Sequence, residues 1–321
     1  MQMPSDLQPE PLVSVIVLTF NSEQFIGNCL AAVGASTYRH LQVIVPDNNS
    51  RDNSVGVAGR VCASLGLKAT LLPLPKNEGC AGGNNRGARC ANGEILVFLN
   101  PDTEVDPEFI ANLIAPLRTD PGIGITGAKM YYPGRKVIQH AGGTISPIGH
   151  TGHIGAHCED DGTYDQLRDV DYVTGAGFAI RKLLFDSLQG FDEDYYPAYF
   201  EETDLCFRVR ASGHRIVYVP TAVLVHHESV SLGVNSNSFV RMFMVMRIRY
   251  CIKNFPLTTM LSVFPLRELK WLVTYGVERG QVLATVRAYF LNVKFLMKKM
   301  LGIGRSERKK QIQAAQIALK Q

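Results

Sequence analysis

The stretch Glu94-Ile-Leu-Val-Phe-Leu-Asn-Pro-Asp-Thr103 decides the fold. Ile95 to Leu99 is an unbroken apolar run, the pattern of a strand buried on both faces. Pro101 cannot continue a central ladder, so the strand is predicted to stop in the polar turn Asn100–Thr103. Asp102 is then held at the carboxyl end of a buried parallel strand, where open α/β sheets bind their ligands. Its carboxylate is a hard oxygen donor suited to Mg²⁺ or Mn²⁺ carrying a diphosphate. A turn aspartate capping the next helix is the alternative reading.

Upstream, Val13–Leu18, Leu41–Val45 and the weaker Ala69–Leu74 read as three more strands, each closed by a polar turn. A helix start is expected at Ser22, and Gly82-Gly83-Asn84-Asn85-Arg86-Gly87-Ala88, after the Gly-rich loop from Gly79, is read as opening another. Strands alternating with helices imply a mainly parallel sheet with helices on both faces. Gly79-Cys80-Ala81-Gly82-Gly83 is not a dinucleotide fingerprint, since it does not follow the first strand, and no G-x-x-x-x-G-K-[ST] loop exists. These glycines are expected to let backbone approach a ligand and to expose N–H groups to anions.

The chain has 321 residues, 46% of them hydrophobic, which fits one large α/β domain with an appendage. Seven cysteines are scattered without a C-x-x-C pair, an arrangement that suits a reducing cytosol and argues against a disulfide framework. The polar N-terminus lacks the apolar core of a signal peptide, and no run reaches the roughly 18 apolar residues of a spanning helix. The net charge of +4 is unevenly distributed. Residues 241–321 hold sixteen Lys and Arg against three Glu, a net of +13, which leaves −9 for the first 240. An acidic body with a basic tail points to an anionic surface as a partner.

Ser14-Val-Ile-Val-Leu-Thr-Phe-Asn21, Val45-Pro-Asp-Asn-Asn-Ser50, Asn77-Glu-Gly79 and Leu99-Asn-Pro-Asp102 resemble the successive motifs of family 2 inverting glycosyltransferases. Gly190-Phe-Asp-Glu193 to Tyr199-Phe-Glu-Glu-Thr-Asp-Leu-Cys-Phe-Arg208 is similar to that family's catalytic segment. The resemblance covers about residues 11–230. It implies a GT-A fold, an α/β nucleotide-binding parallel-centred sheet with helices on both faces, and sugar transfer from a nucleotide-diphosphate donor with inversion.

The resemblance further implies that Thr19 and Asn21 meet the nucleotide. Asp47 would accept from a base N3–H, a donor that uracil and thymine both present; an Asx-turn is the alternative reading of Asp47. Asn77, Gly79 and Asn84 would lie near the ribose and diphosphate. Asp102 matches the last carboxylate of a D-x-D metal motif whose first Asp is here Asn100, so a cation would rely on Asp102 and donor phosphates.

In the second block, Glu201 and Asp204 (i, i+3) share a helix face and Glu202 points elsewhere. The resemblance makes Glu202 the general base, with Glu201 and Asp204 beside it, although the family pattern has Asp at position 202. The plainer reading is an acid-rich first turn favoured by the helix dipole. His226, 24 residues past Glu202, is implied as a further metal ligand, with His227 as the substitute. His140, His150, His153 and His157 are expected in a mobile acceptor-side loop rather than a zinc site. Val173-Thr-Gly-Ala-Gly-Phe178 is expected to bring backbone close to the donor sugar.

From Phe239 on, long apolar and basic residues at helical spacing predict a basic helical extension over 239–321. It is expected either to lie on a membrane surface or to pack on the body. The expected organisation is a disordered 1–10 and a glycosyltransferase domain over 11–238. That domain divides into a nucleotide-binding half (11–103) and an acceptor half (104–238), with the extension following.

The expected activity is metal-dependent sugar transfer to a lipid-linked or surface-glycan acceptor. It is placed in the cytoplasm, peripheral on the inner face of the cell membrane. The Leu-Asn-Pro-Asp-Thr form resembles rhamnosyltransferase-like members, making dTDP-rhamnose the first donor expected, with UDP-hexoses open. Nucleic acid is not an expected partner, because no base-reading motif accompanies the basic tail. The opposing class is a non-catalytic sugar-nucleotide or nucleic-acid binding protein.

Overall fold

A computed structural model describes residues 10–227, 237–276, 281–303 and 305–318. Residues 1–9 of the segment expected to be disordered lie outside the described residues. The first half runs β1 (Val13–Val17), α1 (Ile26–Gly34), β2 (Leu41–Asp47), α2 (Ser54–Ser64), β3 (Ala69–Pro73), α3 (Gly79–Arg89) and β4 (Ile95–Leu99). β5 (Thr103–Val105), α4 (Phe109–Thr119), β6 (Ile123–Tyr131), β7 (Ile138–His140), β8 (Gly143–Ile145) and β9 (Thr151–His153) follow. β10 (Arg168–Asp169), β11 (Gly177–Arg181), α5 (Lys182–Ser187), α6 (Glu201–Ala211) and β12 (Arg215–His226) complete the α/β body. The C-terminal helices are α7 (Asn237–Asn254), α8 (Leu257–Leu261), α9 (Val263–Trp271), α10 (Val282–Met300) and α11 (Arg305–Ala318).

One sheet carries the body, in the order β10-β12-β6-β11-β4-β1-β2-β3. β4 sits at its centre, parallel to β1 and antiparallel to β11, and every residue from Ile95 to Leu99 is buried. β3 lies at the edge and is half-exposed, which explains its weaker pattern. β5 pairs with the end of β12 so that His226 faces Thr103. That register carries a residue 124 positions downstream to the side of Asp102.

Two sequence expectations need revising. A turn over 22–25 precedes α1, in which the Ser22 carbonyl accepts from the N–H groups of Phe25 and Ile26, so the regular helix starts at Ile26. The glycines expected before a helix lie inside one, since α3 starts at Gly79. Their main service is packing. A Cβ on Gly87 would stand 2.7 Å from Ile16 Cγ2 and 2.8 Å from Pro46 Cγ, and one on Gly83 would meet Leu18 at 2.5 Å. Small residues on this face let α3 lie directly on β1 and β2. Gly79, at φ +74°, keeps the conformational role.

The tail is helical as the pattern implied and is packed on the body. Tyr195, Phe200, Met244, Ile248, Tyr250, Phe264 and Phe295 share one apolar cluster with residues of α7, α9 and α10. Arg247, fully buried, pairs with Glu268 and donates to the Ile148 carbonyl at 2.7 Å, tying α7 to α9 and to the β8–β9 hairpin. Breaking such a buried pair on one side costs about 3–5 kcal/mol. No described helix is long and apolar enough to cross a membrane.

Gly87→Ala tests the α3 packing. Helix propensity favours Ala by about 1 kcal/mol, whereas overpacking a tight core costs about 1–3 kcal/mol. A lower Tm in thermal unfolding is therefore expected, and a higher one would show that α3 can draw back from the sheet.

Candidate active site

The loops at the carboxyl ends of β1, β2 and β4 converge. Thr19 bridges to Asp47, its N–H donating to the Pro46 carbonyl at 2.9 Å and its carbonyl accepting from Asn48 at 2.8 Å. Asp47 is 5% exposed and both its carboxylate oxygens accept from Ser50, three residues on, where an Asx-turn would bond two residues on. Asn21, at φ +50°, accepts from the Arg51 N–H at 2.8 Å. It lines a hollow of about 410 Å³ with Glu23, Gln24, Phe25 and Asp52. Asn48 exchanges two bonds with the α3 start, donating to the Gly79 carbonyl and accepting from the Glu78 N–H. Asn77 accepts from the Gly79 N–H at 2.8 Å, and Asn84 donates to the Cys80 carbonyl at 3.1 Å.

The cation corner is more telling. Asp102 Oδ1 is buried without a hydrogen-bond partner and stands 3.3 Å from His226 Nε2. On the other side of the ring, His226 Nδ1 lies 2.8 Å from Gln139 Oε1. An amide oxygen only accepts, so Nδ1 carries a proton and Nε2 is the nitrogen turned to Asp102, the outer-sphere arrangement typical of ligating histidines. Burial would raise the Asp102 carboxyl, but the neighbouring His226 outweighs it and holds the group below its usual value. His227 turns away to Glu104 at 2.9 Å, while its N–H donates to the Asp102 carbonyl at 2.9 Å. Asn100 Nδ2 is 3.4 Å from His226 Nε2. Cys29 braces the turn from α1, its thiol donating to the Asn100 carbonyl at 3.5 Å.

These residues fit a divalent cation with two protein ligands, the remaining positions falling to phosphate and water, as Mg²⁺ prefers. No group of three or more His, Cys, Asp or Glu placed to hold a metal occurs among the described residues. The four histidines expected in one loop disperse. His140 and His153 meet edge to face at 4.8 Å, His150 lies 4.2 Å from the Trp271 ring, and His157 stacks on Tyr132. They sit around the paired strands β7, β8 and β9 rather than in one loop.

The acids of α6 have three different environments. Glu201 is buried, with Oε2 lacking a partner, and Cys80 hydrogen-bonds its carboxyl. Glu202 stays partly exposed. Its carboxyl is pushed up to about 8, first by burial and then by the Glu201 charge. Asp204 is fully buried and saturated, accepting from Arg208, Tyr195, Asn254 and Arg308. Burial works against its charge, but Arg308 and Arg208 prevail and hold it well below the usual carboxylate range. Grouping Asp204 with the catalytic acids is therefore corrected: it has no surface to offer a substrate, and its charge serves the fold. Tyr199 and Phe200, immediately before α6, both have positive φ (77° and 71°). Such strain costs about 1–3 kcal/mol per residue and is held by packing, here of Phe200 on Phe243 and Tyr250 and of Tyr199 on Phe239.

A sequence model described as Glycosyl transferase family 2 matches residues 14–186. The chain belongs to this family. Over 238 residues it is 32% identical to an uncharacterized protein, y4gI, of Sinorhizobium fredii, covering 71% of this chain and 26% of that protein. It is 31% identical to the O-antigen biosynthesis protein RfbC of Myxococcus xanthus, covering 69% and 18%. The chain thus spans about a quarter or less of those two relatives. An N-acetylglucosaminyl-diphospho-decaprenol L-rhamnosyltransferase of Mycobacterium tuberculosis is 25% identical over 69% of this chain and 78% of that protein.

Among solved structures, S. aureus TarS 1-349 in complex with UDP-GlcNAc superposes with a TM-score of 0.59 at 15% identity, over 96% of this chain and 90% of that one. The mannosyltransferase PcManGT from Pyrobaculum calidifontis, in complex with GDP-Man and Mn²⁺, gives 0.57 at 19%, over 98% and 90%. The fold of this family 2 member is the GT-A type.

Gln139 was missed by sequence reasoning, since nothing in a short strand marks a residue that orients a distant histidine. Gln139→Leu is expected to weaken Mn²⁺ binding by about tenfold or more, the usual weight of such a partner. Thermal-shift titration of Mn²⁺ in the presence of UDP reads this, and an unchanged midpoint would remove Gln139 from the site.

Proposed function

We propose that this chain transfers a sugar from a nucleotide-diphosphate donor to a hydroxyl of a lipid-linked or surface-glycan acceptor, with inversion at the anomeric carbon. The observation that carries the reading is a set of buried polar atoms without partners. Thr19 Oγ1, Asp102 Oδ1 and Glu201 Oε2 belong to three separate motifs. Buried polar atoms are almost always satisfied, and although other side chains of the fold also carry such atoms, these three coincide with residues that the motifs assign to a ligand.

Thr19, Asn21 and Asp47 would hold the nucleoside, and Asn77, Gly79 and Asn84 the loop beside its phosphates. Mg²⁺ or Mn²⁺ between Asp102 and His226 would supply neutralisation of the leaving diphosphate. Glu202 takes the proton of the acceptor hydroxyl, whose oxygen forms the new bond to the anomeric carbon as the bond to the diphosphate breaks on the opposite face. Glu201, with one free oxygen, would orient the acceptor. The donor proposed first is dTDP-rhamnose, supported by the similarity to a decaprenol-linked rhamnosyltransferase; UDP-hexoses share the base edge that Asp47 would read. The transfer unit is taken as 11–238 and the helical extension as 239–321.

The same reading places the protein on the cytosolic face of an anionic membrane. On α10, Leu283, Val286, Phe290, Val293, Met297 and Met300 form an outward stripe at three- and four-residue spacing, with Leu283 78% and Phe290 75% exposed. Arg287, Lys294 and Lys298 are exposed beside it. An apolar stripe flanked by cations matches an anionic lipid surface, each cation contributing about 1 kcal/mol. The available charge is smaller than the +13 of the sequence, because Arg247, Arg249, Lys253 and Arg308 are engaged within the fold.

Glu202→Gln is expected to leave nucleotide binding intact and lower kcat by about 10² or more. A base acts deprotonated, so wild-type kcat/KM should climb with pH through a midpoint near 8 and level off above it. A raised carboxyl pKa also means that the folded state loses stability as pH rises from the unfolded value toward 8, so the Gln variant should be no less stable than wild type at pH 8. A kcat within a few-fold of wild type would move the base elsewhere. For the membrane, Phe290→Ser and the pair Arg287→Glu/Lys294→Glu should each reduce co-sedimentation with anionic liposomes. Equal binding to neutral liposomes, or self-association through the stripe without lipid binding, would rule the surface out.

A further inference from the structure

Asp204 is a buried charge with an unusual set of partners. Arg208 comes from its own helix, donating from Nε at 2.7 Å. Tyr195 donates at 3.1 Å from the turn after Asp192, and Asn254 at 2.9 Å from the end of α7. The fourth partner, Arg308, comes from α11, more than a hundred residues downstream. Arg208 also donates to the carbonyls of Leu188 and Gly190 at 2.7 and 2.8 Å, so the segment after α5 is drawn to the same point.

We propose that Arg308 is a positioning residue for the candidate base: by capturing Asp204 it holds α6 where Glu202 meets the acceptor hydroxyl. The proposal rests on Glu202 being the base. Asp204 lies two residues after Glu202 on the same first turns of α6, so a shift of its carboxylate moves the helix that carries both. The helix start is also under load, because Tyr199 and Phe200 hold left-handed conformations. Without Arg308, Tyr195 and Asn254 remain as the ties of Asp204 to other elements, and the strained helix start leaves α6 room to shift Glu202.

Charge, apolar packing and a polar bond tie the described residues of α11 to the body: Arg308 pairs with Asp204, Ala315 is buried in an apolar cluster, and Gln311 donates to Gln189 at 2.7 Å. Arg308 itself is largely buried, with Asp192 a second carboxylate at 3.9 Å. Lys253 occupies Asp192 and Asp194 at 2.5 Å each, so Arg308 is not replaceable by the nearest other cation without breaking that pair. Through Arg308, α11 thus reaches the helix that bears the acids.

The test uses the full chain with Mn²⁺ and UDP- and dTDP-sugars, following donor turnover. Arg308→Ala is expected to lower kcat by about tenfold to a hundredfold with donor KM within about twofold, the signature of a misplaced group rather than a lost binding contact. Arg308→Lys, which restores the charge, should recover most of kcat, and Lys310→Ala, an exposed neighbour on α11, should behave as wild type. Hydrogen exchange over residues 201–211 should quicken in Arg308→Ala. Should that variant fail to fold, Arg308→Gln carries the same comparison. An unchanged kcat, or a loss in which KM rises in step and Lys does not rescue, overturns the positioning role. A wild-type chain inactive on every donor instead overturns the function beneath it and this proposal with it.

Discussion

Proline has no N–H to give to a ladder, and Pro101 stands two residues past Leu99, where β4 leaves the middle of the sheet. The turn that follows has one place to go, out of the carboxyl edge, and it takes Asn100 and Asp102 with it. β5 then pairs back with β12, and the register sets His226 opposite Thr103. The candidate cation corner is therefore a product of strand pairing. Two rigid elements far apart in sequence present a carboxylate oxygen and an imidazole nitrogen 3.3 Å apart. Gln139, from a third strand, fixes which nitrogen carries the proton.

Around that corner the molecule separates its acids by environment. Asp102 faces an imidazole, Glu201 is buried beside Cys80, Glu202 stays partly exposed within reach of the Glu201 charge, and Asp204 faces two guanidinium groups. One functional group in four settings yields carboxyls held below and pushed above their ordinary values. A base poised near neutral pH needs the raised kind, and the price is strain and like-charge repulsion at the start of α6. The C-terminal helices meet that cost through Phe243, Tyr250, Asn254 and Arg308. The basic extension is consequently part of the catalytic body's packing as well as a candidate membrane face, and its removal would unmake the first role before testing the second.

Much of this was legible in the chain. The apolar runs of β1, β2 and β4 are long enough, and cleanly enough ended, to place the parallel centre and the turn bearing Asp102. The i, i+3 relation of Glu201 and Asp204 correctly separated them from Glu202. Three things were not legible. Helical spacing tells which acids share a face but not whether that face meets a cleft or a core, so Asp204 was grouped with the catalytic pair. Glycines announce a close approach but not of what, and in α3 the approaching partners are Ile16, Pro46 and Leu18 rather than a phosphate. Charge counting cannot see pairing, and four of the tail's cations are spent inside the fold.

The central claim is that a nucleoside diphosphate binds at this sheet edge through a divalent cation seated at Asp102 and His226. Calorimetric titration of the full chain with UDP and dTDP, in Mn²⁺ and again in EDTA, tests it most directly. The account predicts a saturable heat in Mn²⁺ for at least one of the two nucleotides and an affinity weakened by about tenfold or more in EDTA, since the cation is the principal partner of the diphosphate. Equal affinity in both conditions would contradict it.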